Sequence, residues 1–162
     1  MAADSGTGIA VTRAGLEDMQ LIRTMFLEYA EWLGIDLGFQ GFREEIDGLP
    51  GKYGAPKGRI LLAHDLRSHD IAGCVALRPH TDSRCEMKRL WVRERFRGRG
   101  MGIALVDEIV EAARTMGYKE MVLDTLESMI PALRLYSRCG FTRIPPYYHN
   151  PLPGAVYLGR NL

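Results

Sequence analysis

The run Phe96-Arg-Gly-Arg-Gly-Met-Gly102 places three glycines and two arginines where an extended segment gives way to an amphipathic one. Glycines let a backbone approach a ligand closely and adopt positive φ, so successive N–H groups can converge into a cradle at the positive end of the following helix. A pyrophosphate suits such a cradle, and Arg97 and Arg99 add charge to it; the competing reading is a loop with two solvated arginines. The familiar nucleotide loops fit poorly. There is no GxxxxGK[ST], and Ile103 stands where a GxGxxG would need its last glycine. Arg93, Arg95, Arg97 and Arg99 alternate over seven residues and could follow a phosphate backbone. The interleaved glycines favour a compact phosphate instead. With 21 basic against 20 acidic residues, a net charge of +1, the chain offers no general attraction for nucleic acid or an anionic membrane, and neither is expected as partner.

The other reactive side chains are dispersed. Cys74, Cys85 and Cys139 are odd in number and widely spaced, without CxxC or nearby histidines, so neither a disulfide framework nor a metal site is indicated. They read as buried free thiols, with a reactive Cys139 beside a cofactor as the alternative. His64 and His69 flank a hairpin turn, while His80 and His149 lie in loops able to edge a substrate pocket and serve as a fallback base. Asp36, Glu44, Glu45 and Asp47 could attract a cationic amine or form the solvated face of a short helix, and Tyr147, Tyr148, His149 and Asn150 could line the opposite wall.

Positioning these groups falls to a chain of 162 residues, 46% hydrophobic and 25% charged, which suits one globular domain over residues 1–162. No apolar run approaches the roughly 18 residues that cross a bilayer, and the start MAADSGTGIAV lacks the features of a signal peptide, so a cytoplasmic protein is expected. Residues 9–13 suggest a strand, and Leu16, Met19, Ile22, Phe26, Tyr29 and Leu33 recur at helical spacing. Residues 34–58 read as a glycine-rich lid with one amphipathic piece around Phe42, Ile46 and Leu49. Runs 59–65 and 71–78 make a hairpin, followed by an extended 84–93. Ile103, Val106, Ile109, Val110 and Ala113 mark a helix ending at Gly117, and 120–126 is the next strand. This βαβ unit requires strands 84–93 and 120–126 to be parallel, with the glycine turn at the carboxyl end of the first, where open sheets bind ligands. A second helix spans 129–138, and strands 141–144 and 155–159 bracket a proline-rich loop.

Arg97-x-x-Gly100-x-Gly102 resembles the Q/R-x-x-G-x-G/A signature of the GNAT superfamily of N-acetyltransferases. MKRLWVRERF ahead of it resembles the family's fourth strand, and ALRLYSRCGF its A-x-x-L-Y-x-x-x-G-F helix. The order of elements agrees from about Ile9 to Leu158. The resemblance implies an α/β (α+β) GNAT fold: a single mixed, mostly antiparallel twisted sheet of about six to seven strands, flanked by about four helices, around a central parallel βαβ cofactor unit. It implies acetyl-CoA as cosubstrate, with Leu90, Trp91 and Val92 offering backbone groups to the pantetheine arm and Arg97, Gly98, Arg99, Gly100, Met101, Gly102 and Ile103 holding the pyrophosphate. The sequence departs from the pattern at Met129, seven residues before the tyrosine, where the family commonly has asparagine.

Acyl transfer from a thioester to an amine needs a base for the amine, stabilisation of the oxyanion and a proton for the thiolate. Glu86 lies eleven residues before Arg97, the offset at which several members of the family carry a glutamate base. Burial beside Cys85, Met87 and Leu90 would raise its pKa, whereas an exposed glutamate would pair with Lys88 or Arg89. Tyr136 occupies the family's general-acid position, its phenol of pKa about 10 facing a thiol of about 8.5, with half-buried packing as the alternative role. The resemblance thus implies an N-acetyltransferase acting by direct attack on acetyl-CoA by a primary amine of a small molecule or protein. The alternative is a noncatalytic acyl-CoA sensor or partner-binding module. A homodimer stays open.

Overall fold

Strands that are apolar at consecutive positions need cover on both faces, and residues 60–63 and 72–77 are of this kind. The computed structural model of the chain, which describes residues 2–3 and 6–162, supplies that cover. Residues 1, 4 and 5 of the expected 1–162 domain lie outside the described residues. Strands β1 (Ala2–Ala3), β2 (Ile9–Arg13), β3 (Arg59–Asp65), β4 (Asp70–Pro79), β5 (Arg84–Val92), β6 (Glu120–Leu126), β7 (Thr142–Arg143) and β8 (Ala155–Asn161) form one sheet in the order β1-β2-β3-β4-β5-β6-β8-β7. All neighbours are antiparallel except β5 and β6, so the mixed sheet expected from the sequence is present, lengthened by the two-residue edge piece β1, with the strand expected at 141–144 reduced to the two residues of β7.

Helices α1 (Met19–Leu33) and α2 (Phe42–Asp47) lie on one face, α3 (Met101–Thr115) and α4 (Ile130–Arg138) on the other. The stripe read from the sequence explains α1. Its Ile22, Met25 and Phe26 are fully buried against Tyr53, Ile60, Leu62 and Trp91. On the opposite face Leu105, Val106 and Ile109 of α3 pack on Val75, Leu77 and Met121. Gly34, at φ 67°, ends α1 in the left-handed conformation that favours glycine. Along β5, Cys85 and Met87 belong to the α3 face while Trp91, of the same parity, belongs to the α1 face, because a bulge between them shifts the alternation by one residue.

Charged residues inside this fold carry a pH signature. Glu86 and Glu28 both have pKa values below the ordinary 4.5; neighbouring cations and hydrogen bonds outweigh desolvation in each. Because the folded-state values are depressed, the stabilisation is present above about pH 4.5 and is lost as pH falls through the folded pKa. The melting temperature is therefore expected to hold between about pH 5 and 7 and to drop steadily below about pH 4.5. A flat profile down to pH about 3 would contradict the buried ion pairing.

Candidate active site

The parallel pair β5–β6 holds register at Arg84↔Glu120, Cys85↔Met121 and Glu86↔Val122, and pairing ends there. Beyond Glu86 the two strands separate, so the backbone of β5 on that side has no strand partner. A bulge adds to the divergence. Cys74 faces Trp91 and Ala76 faces Lys88, leaving Val75 opposite two residues, Arg89 and Leu90. Arg89 adopts φ 59°, a left-handed value that few side chains accept, and it is held there by contacts described below.

The separation opens into a cleft of about 560 Å³ lined from α1, α3 and α4. Leu90, Trp91 and Val92 form one edge, and Arg97, Gly98, Gly100, Met101, Gly102 and Ile103 form its floor. Thus nine of the ten residues expected to hold the cofactor share one cavity. Arg99 does not. Its guanidinium pairs with Asp65 at 3.1 Å and lines a separate groove with Thr7, Ile9 and Arg67. Gly100 is the N-cap of α3 with φ 87°, and Gly102 lies tight against α4, where a Cβ would stand 3.0 Å from Leu135 Cδ2 and require that side chain to shift. The first-turn N–H groups of α3 lack helical partners, as at any helix start, and residues Gly100 to Ile103, at the positive end of the helix dipole, line the cleft.

Arg97 lies over the rings of Trp32 and Trp91, 4.8 and 5.0 Å from their centroids, and its Nε donates to the Val92 carbonyl at 3.0 Å. Trp91 is fixed by donation from Nε1 to Glu28 at 3.1 Å, and Arg93 grips the same carboxylate, so α1 is tied to β5 beside the cleft. Met129, in place of the family's usual asparagine, lines the cleft without offering a polar side-chain group.

Tyr136 reaches both this cleft and a narrow gap bounded by Lys88, Leu90 and Asp124. Its ring packs edge-on against Phe141, 5.9 Å away. Burial, then the nearby Tyr29 and Asp124, push its pKa well above the ordinary 10. The phenol therefore stays protonated at neutral pH, although the close match to a thiol expected from the sequence is widened.

Glu86 is buried, 3% exposed, but its surroundings are polar. Cys85 and Met87 point to the other face of the sheet. Arg78 Nε donates to Glu86 Oε1 at 2.9 Å and Tyr147 Oη to Oε2 at 2.5 Å. The expected rise in pKa is thus reversed: desolvation raises it, but Lys88, Arg78 and the two hydrogen bonds outweigh that and lower it. Nor is it an exposed partner of Lys88 or Arg89.

Four residues that the sequence reading did not single out as site groups surround it. Lys88 and Arg89 are buried on β5, Arg78 is on β4 directly opposite Glu86, and Asp124 is on β6. Asp124 accepts hydrogen bonds from Tyr148 and, at 2.8 Å, from Asn150 Nδ2, and lies 3.8 Å from Lys88 Nζ. A charge following the apolar Met121–Leu123 run near the carboxyl end of a strand was the available signal. Tyr147 and Tyr148 lie tilted against each other and each meets Tyr157 in a T-shaped contact, so the proline-rich loop packs against the site, with His80 on Tyr147.

Three of the four lid carboxylates are engaged within the fold, and Glu44 borders a cavity under α2. Glu45 holds Arg89 at 2.8 Å and accepts from Tyr53, Asp47 pairs with Arg23 and Arg43, and Asp36 bonds the Gly38 N–H. His64 is engaged by Thr12 across β2–β3 at 2.7 Å. The three cysteines are free and buried, and burial pushes the Cys139 thiol up, against a nucleophilic role. No group of metal-ligating side chains occurs among the described residues.

A family model described as the acetyltransferase (GNAT) family matches residues 23–141. The chain is 44% identical over 144 residues to an uncharacterized N-acetyltransferase of Schizosaccharomyces pombe, covering 88% of this chain and 87% of that protein. It is 36% identical to N-acetylaspartate synthetase of Homo sapiens over 86 residues, which is 52% of this chain and 28% of that protein. The fold resembles that of PaiA N-acetyltransferase from Thermoplasma acidophilum in complex with coenzyme A, with a TM-score of 0.75 at 16% identity, covering 95% of this chain and 99% of the other.

Proposed function

This chain belongs to the GNAT family of acetyltransferases and transfers an acyl group from coenzyme A to an acceptor, and we propose that the acceptor is a primary amine attacking acetyl-CoA directly, within one catalytic domain spanning the chain. The observation that carries the reading is the single cleft joining the glycine turn, the unpaired edge of β5 and Tyr136. Acetyl-CoA, when bound there, would supply the activated thioester, and coenzyme A would leave as the thiol. The first-turn amides of α3 and Arg97 hold the pyrophosphate, and Arg97 leaves the Val92 carbonyl to do so, freeing that strand edge for the pantetheine arm. The Arg99 side chain stays with Asp65, and its part is limited to the backbone.

Glu86 is the proton sink in this reading. It is ionised at neutral pH, and although its lowered pKa weakens it as a base, the Tyr147 hydroxyl that donates to it gives the amine's proton a path to the carboxylate. Tyr136 gives its proton to the thiolate. The partial likeness to N-acetylaspartate synthetase supports an amino acid among the candidate acceptors. No helix among the described residues is long and apolar enough to cross a membrane. The three free thiols support the cytoplasmic setting that belongs to this reading.

Acceptor-dependent release of coenzyme A thiol across an amine panel tests the activity; binding of acetyl-CoA without release would favour a sensor. Tyr147→Phe, which cuts the relay while keeping the Arg78–Glu86 pair, and Glu86→Gln are both expected to lower kcat/KM by on the order of tenfold to a hundredfold. The deficit should be largest at low pH, where the acceptor is an ammonium, and should shrink as pH approaches the acceptor's own pKa. Wild-type height and shape of the pH–rate profile in folded variants would move the base elsewhere.

A further inference from the structure

Lys88 Nζ and Arg89 Nη1 both donate to one neutral oxygen, Gln40 Oε1, at 3.1 and 2.9 Å. Both cations are buried, 6% and 5% exposed. Arg89 is otherwise well matched, since Nε and Nη2 fork onto Glu45 at 2.8 and 3.1 Å. Lys88 is not. Its ammonium carries three donors, yet among the described residues Gln40 is its one hydrogen-bond acceptor, and Asp124 at 3.8 Å is beyond hydrogen-bond reach. A buried ammonium with underused donors, facing the gap shared with Tyr136, is a place prepared for an anionic oxygen.

We infer that the acceptor is a free α-amino acid whose carboxylate displaces Gln40 Oε1 and is held between Lys88 and Arg89. The inference rests on the acetyltransferase reading above and names the acceptor class of that same site. A carboxylate there turns two charge-to-neutral hydrogen bonds into charge-to-charge ones, which are shorter and stronger. In an α-amino acid the nitrogen lies two bonds from the carboxylate carbon. An amine so held stays within reach of Asp124, the carboxylate that faces Lys88 across the gap.

Charge balance separates this class from simple amines. Three cations, Arg78, Lys88 and Arg89, are paired with three carboxylates, Glu86, Asp124 and Glu45. A zwitterion leaves that balance unchanged. A monocationic amine would add an uncompensated charge beside two buried cations. The gap itself is only about 30 Å³, but Gln40, bonded to Lys88 and Arg89 of its lining, borders a cavity of about 310 Å³ under α2 with Glu45, Tyr53 and Arg78, and the inference places the amino-acid side chain there once Gln40 withdraws.

The test is calorimetric titration of the coenzyme A-bound protein with free L-amino acids, each beside its own carboxamide, together with thiol release from acetyl-CoA in the same pairs. At least one amino acid should bind, its carboxamide at least about tenfold more weakly. Lys88→Met should abolish the preference for the acid over the amide, and Gln40→Ala, which removes the competing oxygen, should tighten amino-acid binding. Should Lys88→Met fail to fold, the acid–amide comparison on the natural sequence decides alone. Equal binding of acid and amide, no amino-acid binding, or acetylation confined to amines without a carboxylate would overturn the inference. Amino-acid binding with the stated acid preference but without thiol release would keep the carboxylate socket and reject the enzymatic reading instead.

Discussion

Replacing Gly100 by Asp is expected to weaken acetyl-CoA binding by on the order of a thousandfold while leaving the fold intact. The added Cβ meets only Ile9 Cδ1, at 3.7 Å, so there is space for it. The φ of 87° adds modest strain, which aspartate tolerates better than most residues. What changes is charge. A carboxylate at the N-cap of α3 sits where the pyrophosphate is proposed to bind, and two unit charges about 4 Å apart repel by about 4 kcal/mol at an effective dielectric of about 20. That converts to roughly three orders of magnitude in Kd. The only two tryptophans, Trp32 and Trp91, both line the cleft and stack on Arg97, so intrinsic fluorescence reports binding directly. A folded Gly100→Asp protein with unchanged affinity would remove the cofactor from this turn.

Tyr136→Phe is expected to bind acetyl-CoA normally and lose on the order of a hundredfold in kcat, the scale of a general acid removed. The ring remains against Phe141, so packing is kept and only the hydroxyl at the junction of cleft and gap is deleted. Because burial holds the phenol protonated well above neutral pH, the wild-type rate should show no loss of this acid through pH about 9. A purely structural tyrosine predicts the reverse pattern: a lower melting temperature and little change in turnover. Unchanged kcat, measured where chemistry limits the rate, would reject the role.

The scaffold was legible because it is periodic. The α1 stripe, the apolar runs of β3 and β4 and the glycine that ends α1 each follow from spacing and residue type, and the structure has them within a residue or two. The placing of the glycine turn in the cleft was legible for a different reason, since glycine spacing reports where backbone amides can come close to a ligand. The proposed acceptor side was not. Its ion pairs join residues far apart in sequence, Glu45 with Arg89 and Lys88 with Asp124, and no local pattern encodes which charge meets which. Glu86 shows the cost of ignoring alternation: its sequence neighbours Cys85 and Met87 are apolar but face the other core, and its true neighbours arrive from β4 and the loop carrying Tyr147. The bulge at Arg89 shifts that alternation by one residue, which spacing alone does not reveal.

The most direct test of the central claim, acetyl transfer from coenzyme A to an amine across the β5–β6 separation, is a single-turnover reaction with isotopically labelled acetyl-CoA, read by mass spectrometry of both protein and acceptor. The account predicts labelled acetyl on the acceptor amine in equal amount to the thiol released, with the protein's mass unchanged at every time point. Thiol release without an acetylated acceptor, or label accumulating on the protein before it reaches the amine, would contradict it.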